Sequence, residues 1–226
     1  MDSAFGRALN LILSGDVEVM GITLTSLGLA FSSTAVSGIL GILLALVLHL
    51  NSFRGRKGVL VVLNGLMALP TVVIGLTVYS LLSRSGPLGY WGLLYSRGAI
   101  VIGQSILALP IITSLVYGAL NSGSEIIRET LSTLRVHGVT RFLLILNESR
   151  YAVLMAVVTG FGRVVGEVGV SMMLGGNIRW KTRTITTAIA LESGKGEFEQ
   201  ALALGLILIF VSLGVNTVLQ VGMRHE

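Results

Sequence analysis

Long apolar runs separated by short charged connections set the pattern of this chain. A helix needs about 20 apolar residues to cross the hydrocarbon core of a bilayer. Five runs meet that length: Ile22 to Leu48, Val59 to Leu82, Ala99 to Leu120, Tyr151 to Leu174 and Ala201 to Val221. The first three contain no charged residue. Ahead of them, Phe5, Leu9, Ile12 and Leu13 recur at helical spacing. That spacing predicts a short N-terminal interfacial helix within residues 1–20, with a flexible tail as the alternative. The expected architecture is therefore an all-α integral membrane protein, with five transmembrane helices in a domain covering residues 21–226.

The pattern has one long interruption. Residues 123–150 carry Glu125, Arg128, Glu129, Arg135, His137, Arg141, Glu148 and Arg150, a charge density that hydrocarbon does not tolerate. A helical pattern begins at Glu129, Gly138 permits a sharp turn, and Phe142, Leu143, Ile145 and Leu146 resume an apolar face. The segment reads as helix, turn, helix in water, where another protein can reach it. A solvated amphipathic hairpin without a partner is the alternative.

Smaller irregularities lie inside the runs. Pro70 and Pro110 close the similar phrases Leu66 to Pro70 and Ile106 to Pro110. Each proline removes a helix hydrogen bond, so a kink is expected at both, shaping a pathway or accommodating packing. Gly162 and Gly166 form a GxxxG that could seat a second helix, though glycine is common in such spans. Thr184 to Leu191 is apolar but too short to cross, which predicts a re-entrant or interfacial helix after a turn at Gly175, Gly176 and Asn177.

Composition agrees with lipid as the solvent. The 226 residues are 53% hydrophobic, include 29 Gly, and have a mean hydropathy of +0.86. With no cysteine, thiolate metal sites and disulfides are excluded. Met1 to Met20 lacks the layout of a cleavable signal peptide. The first connection carries Arg54, Arg56 and Lys57 and belongs in the cytoplasm by the positive-inside rule. Five spans then put the N-terminus outside, residues 123–150 inside, residues 175–200 outside and the C-terminus in the cytoplasm. Net charge of +5 needs no nucleic acid to explain it, because the basic residues flank membrane spans.

Candidate chemistry is sparse. Arg163 and Glu167 are the only charges inside an expected span, and their separation of four places them on one helix face with Ser171. Such charges must point into the bundle. They fit either an anion pathway, with Arg163 as a transient partner and Glu167 balancing it, or an ion pair that holds packing. Arg179, Lys181 and Arg183 alternate beyond the fourth span and could draw an anion or an acidic protein to the mouth, or bind headgroups. His137 has no second ligand at metal spacing. No phosphate-binding loop ending in Gly-Lys-Ser or Gly-Lys-Thr is present, so any ATP is bound by another chain. No catalytic set converges, which argues against a membrane enzyme.

The segment from Glu129 to Gly138 resembles the coupling loop of importer-type ABC permeases, although Thr130 and Leu131 replace the usual two alanines and Asn147-Glu148 the usual Leu-Pro. The strings Gly160 to Gly169, Met172 to Ile178, Thr182 to Glu192 and Phe198 to Gly205, with Ser83 to Gly89 earlier, are similar to the tungstate-type oxyanion branch of that family. The resemblance implies a type I importer fold, a homodimeric channel unit without catalytic residues, and two copies of an ATP-binding subunit. ATP and Mg would be held by that subunit, and no cofactor or metal by this chain. It also implies an extracytoplasmic binding protein that delivers tungstate or molybdate, with sulfate or phosphate as other oxyanion cargoes. Glu129, Leu134, Arg135, Val136, His137, Gly138 and Arg141 would contact the ATPase. A stand-alone channel or scaffold would have no use for that loop.

Overall fold

In the computed structural model, residues 4–122, 144 and 146–223 are described, and every regular element among them is helical. The order is α1 (Ala4–Leu13), α2 (Val17–Leu50), α3 (Arg56–Met67), α4 (Thr71–Leu82), a 3-10 turn (Gly89–Trp91), α5 (Arg97–Ser122), α6 (Arg150–Val165), α7 (Gly169–Gly175), α8 (Ile185–Lys195) and α9 (Phe198–Met223). Among the described residues, three helices are long and apolar enough to cross a membrane, and up to five spans result if each of two bent pairs counts as one.

Helix α2 starts cleanly because the Asp16 carboxylate accepts the backbone N–H groups of Glu18 and Val19, both at 3.0 Å. It runs 34 residues, roughly 50 Å at 1.5 Å per residue, well beyond a 30 Å hydrocarbon core. Helix α5 is the centre of the bundle, with 61% of its apolar window buried against 17% for α9. Ala45 and Leu46 of α2 meet Ala108, Ile112 and Val116 of α5 and Ala156 and Val164 of α6. On another side of α5, Ile74, Val78 and Leu82 of α4 join Leu107, Val170 and Leu174. A third cluster joins Val19, Ile22, Ile185, Ala188 and Leu204. At the start of the chain, Ala8 is buried in α1, and Arg7 reaches Glu199 of α9 at 2.8 Å.

Of the two kinks expected at proline, the one at Pro70 is present, and a second bend falls where no proline stands. The run from Val59 to Leu82 is two 12-residue helices meeting at 104°. Pro70 explains the break, since it lacks an N–H and drives Leu69 out of helical geometry. Pro110, at the end of the matching phrase, lies inside uninterrupted α5 and is buried there. The run from Tyr151 to Leu174 bends by 63° between α6 and α7.

Close helix approach is made by glycines other than the Gly162 and Gly166 pair. A Cβ on Gly103 would stand 2.4 Å from Leu174 and 2.5 Å from Val170, and one on Gly160 would stand 2.7 Å from Ile112. A Cβ on Gly162 would make only an ordinary 3.5 Å contact with Val215, and one on Gly166 would meet nothing within 4 Å.

Candidate functional site

Polar side chains isolated from water by the bundle mark where function can sit. The bend between α6 and α7 holds such a group. Arg163 Nη1 donates to Glu167 Oε2 at 2.9 Å, with Glu167 3% exposed and Arg163 39% exposed. Glu167 lies in the break rather than on a helix. Its second oxygen accepts the Val170 N–H at 3.1 Å, satisfying a donor that the start of α7 leaves open. The expected stripe of Arg163, Glu167 and Ser171 is therefore divided: the first two meet, while the bend carries Ser171 elsewhere. Ser171, fully buried, accepts from Gln104 Nε2 at 3.2 Å, and Gln104 Oε1 accepts from Ser33 Oγ at 2.7 Å. This chain of three links α2, α5 and α7. Gln104 was legible as the lone side-chain amide between Ala99 and Leu120, whereas Ser33 carried no signal among neighbouring hydroxyls.

Helices α4 and α7 begin beside one another. A Cβ on Gly169 would lie 3.0 Å from Thr71 Oγ1 and 3.1 Å from Val72 Cγ2, so the two breaks abut. Helix α8 and the loop before it then hold α7 at both ends. Thr186 Oγ1 donates to the Glu167 carbonyl at 2.7 Å, and Thr182 Oγ1 donates to the Gly175 carbonyl at 2.6 Å. Thr184 and Thr187 cap α8 reciprocally, and Thr187 Oγ1 also reaches Asn177 at 3.0 Å. The apolar stretch from Thr184 to Leu191 is thus the body of α8, against α2 and α9 rather than across the bundle.

Next to α8, the loop carries Arg179, Lys181 and Arg183. Arg179 grasps Glu18 with Nε at 2.8 Å and with a second, shorter contact from Nη2. Arg183 Nη1 lies 3.3 Å from Glu18 and 3.6 Å from Glu192, and Lys195 Nζ is 3.2 Å from Glu192. Hydrogen bonding to Glu18 raises the Arg179 pKa above its ordinary value. Lys181 is exposed, and its carbonyl accepts from Arg97 Nε at 2.9 Å. Two of the three cations therefore have internal counter-ions. Tyr95, Asn177 and Trp180 hold φ of 61°, 50° and 64°, the left-handed region that costs a non-glycine residue. Tyr95 N–H donates to the Leu174 carbonyl at 2.9 Å, joining the loop before α5 to the end of α7. A hydrogen bond with Tyr79 raises the Tyr95 pKa above its usual value.

A cavity of about 680 Å³ lies between α2, α6 and α9, lined by residues including Leu27, Phe31, Val157, Phe161 and Val211. Its apolar lining offers nothing to an anion. Among the described residues, no group of three or more His, Cys, Asp or Glu could hold a metal. Glu129, Leu134, Arg135, Val136, His137, Gly138 and Arg141 lie outside the described residues.

The chain is 38% identical over 216 residues to the tungstate uptake system permease protein TupB of Peptoclostridium acidaminophilum, covering 95% of this chain and 94% of that one. The chain belongs to the ABC transporter permeases. This permease is also 37% identical, over 89% of its length and 90% of the relative's, to a probable anion ABC transporter permease of Haloferax volcanii. More distant are the molybdenum permease ModB of Azotobacter vinelandii, 31% identical over 69% of this chain and 72% of that one, and the sulfate permease CysT of Escherichia coli, 29% identical over 87% and 73%. No family model matches. A crystal structure of an amino acid ABC transporter with histidines shares the fold, with a TM-score of 0.68, 15% identity, and coverage of 95% of this chain and 97% of that one.

Proposed function

We propose that this permease is the membrane translocation subunit of an ATP-driven importer for tungstate or molybdate. The observation that carries the reading is 38% identity to a tungstate uptake permease along nearly the whole of both chains. The sulfate permease stands at 29%, which favours the heavier oxyanions. Two copies of the permease form the channel, two copies of a separate ATP-binding subunit supply hydrolysis, and an extracytoplasmic binding protein delivers the anion. The permease itself carries no catalytic group. ATP and Mg reside on the ATPase, whose closure is transmitted through the segment from Glu129 to Arg141 acting as a lever.

The N-terminus and the α8 face lie outside the cell, and the C-terminus lies in the cytoplasm, with α1 along the outer membrane surface. Arg163 meets the passing anion, and Glu167 balances its charge so that the anion is released rather than trapped. Support comes from the asymmetry of the pair: the carboxylate is buried while the guanidinium remains 39% exposed. Arg179, Lys181 and Arg183 form the outer mouth.

The test is ATP hydrolysis by the permease assembled with its ATPase in lipid, with the binding protein empty or loaded with tungstate, molybdate or sulfate. Stimulation by the tungstate or molybdate form is expected. Failure to assemble with any ABC ATPase refutes the reading. For the pathway, Arg163→Gln is expected to lose transport while the assembled complex persists. Loss of assembly instead would assign the pair to packing.

A further inference from the structure

Resting on the importer reading, we propose that Glu18, with Glu192, is a positioning residue that holds the outer mouth shut by clamping the loop at 176–184 and α8 to the head of α2. Glu18 stands in the first turn of α2 and is 20% exposed. Its carboxylate engages Arg179 by two donors and Arg183 by a third. Arg183, 11% exposed, sits between Glu18 and Glu192, which is 5% exposed, and Lys195 completes the row. Carboxylates on α2 and α8 thus share the cations of the loop between them. Behind this row the elements meet through apolar contacts of Val19 and Ile22 with Ile185 and Ala188, and through the Ile185 N–H donating to Ser26 Oγ at 3.2 Å.

The closed arrangement carries its own opposition. Arg183 Nε is buried without a protein acceptor among the described residues, and a buried donor left without a partner costs free energy. Asn177 and Trp180 are held at positive φ in the same loop. Trp180 also packs closely on α2, where a Cβ on Gly21 would lie 3.2 Å from its ring. An ion clamp working against strain and an orphan donor gives two accessible arrangements rather than one rigid mouth. Glu18 decides between them because both arginines depend on it.

Ser26 reports the opening: it is 5% exposed beneath α8, and the chain has no native cysteine. In lipid nanodiscs, Ser26→Cys is labelled with a soluble maleimide, alone and combined with Glu18→Gln or Glu18→Asp. Glu18→Gln is expected to speed labelling about threefold to tenfold, and Glu18→Asp to leave it near the parent rate. Fully buried Ala108→Cys serves as a core control, expected to stay unlabelled. Raising the salt should speed Ser26→Cys labelling without any charge mutation, by screening the exposed pairs. Equal rates for parent and Glu18→Gln, or no response to salt, overturn the clamp. In the assembled transporter, Glu18→Gln should raise ATP hydrolysis without binding protein by a similar factor. If the unmutated transporter is not stimulated by any loaded binding protein, the importer reading fails, whereas the labelling result still decides the clamp.

Discussion

The Arg163 and Glu167 pair yields a prediction whose sign and order both follow from burial. Glu167 is 3% exposed and Arg163 is 39% exposed, so removing either partner leaves behind a different problem. Arg163→Gln strands a buried carboxylate with only the Val170 N–H to serve it, a loss of about 3 kcal/mol by analogy with buried pairs broken on one side. Glu167→Gln leaves a guanidinium that the chain does not enclose and that is free to turn to another acceptor, while the new amide oxygen still accepts from Val170. That change costs about 1.5 kcal/mol. The double variant removes both charges and should cost about 2 kcal/mol, well below the sum of the single losses, because neither charge is then left alone. Reversible unfolding in mixed micelles, followed through Trp91 and Trp180, measures all four proteins. The reasoning is refuted if the two single losses simply add, or if Glu167→Gln is the more damaging one.

Three further outcomes follow from packing and buried hydrogen bonds. Gly103→Ala drives a methyl to 2.4 Å from Leu174 and 2.5 Å from Val170 and should destabilise by about 1–3 kcal/mol; Gly28→Ala, with nothing within 4 Å, should be neutral or mildly stabilising. Gln104→Leu breaks the bridge between Ser33 and Ser171 and should cost about 1 kcal/mol, since Ser33 keeps its bond to the Leu29 carbonyl and leucine fills the space. Thr182→Val removes both the bond to the Gly175 carbonyl and the acceptor for the Ile178 N–H, for about 2 kcal/mol, and should speed hydrogen exchange at Ile178 more than in the middle of α5.

The spans were legible because hydropathy alone sets a length requirement in lipid, and Val17–Leu50, Arg97–Ser122 and Phe198–Met223 fall where the apolar runs lie. The bends were less so. Pro70 and Pro110 end nearly the same phrase, yet one marks a 104° break and the other sits in an uninterrupted helix. The difference is tertiary: α5 is enclosed by α2, α4 and α6, whereas α3 and α4 present much of their surface outward. The partners of the loop cations were not legible for a related reason. Arg179 and Arg183 have no acidic residue within their own loop, and their counter-ion Glu18 lies 161 and 165 positions away, a pairing that no local pattern encodes.

The two bends and the loop before α8 are joined through α7. Helix α7 is seven residues long and is held at its start by Thr186, at its end by Thr182, and along its sides by the close approaches at Gly75 and Gly103. Cores packed this closely shift as bodies rather than deform smoothly. A displacement of α8 is therefore passed to α7, and through the Gly169 contact to the start of α4. Compliance is left to the non-helical joints at Ala68 to Pro70 and Gly166 to Val168, which lie beside each other. Glu167 stands in the second joint and fastens Arg163 to it, so on the proposed importer reading a displacement of α8 reaches the charged pair inside the expected spans.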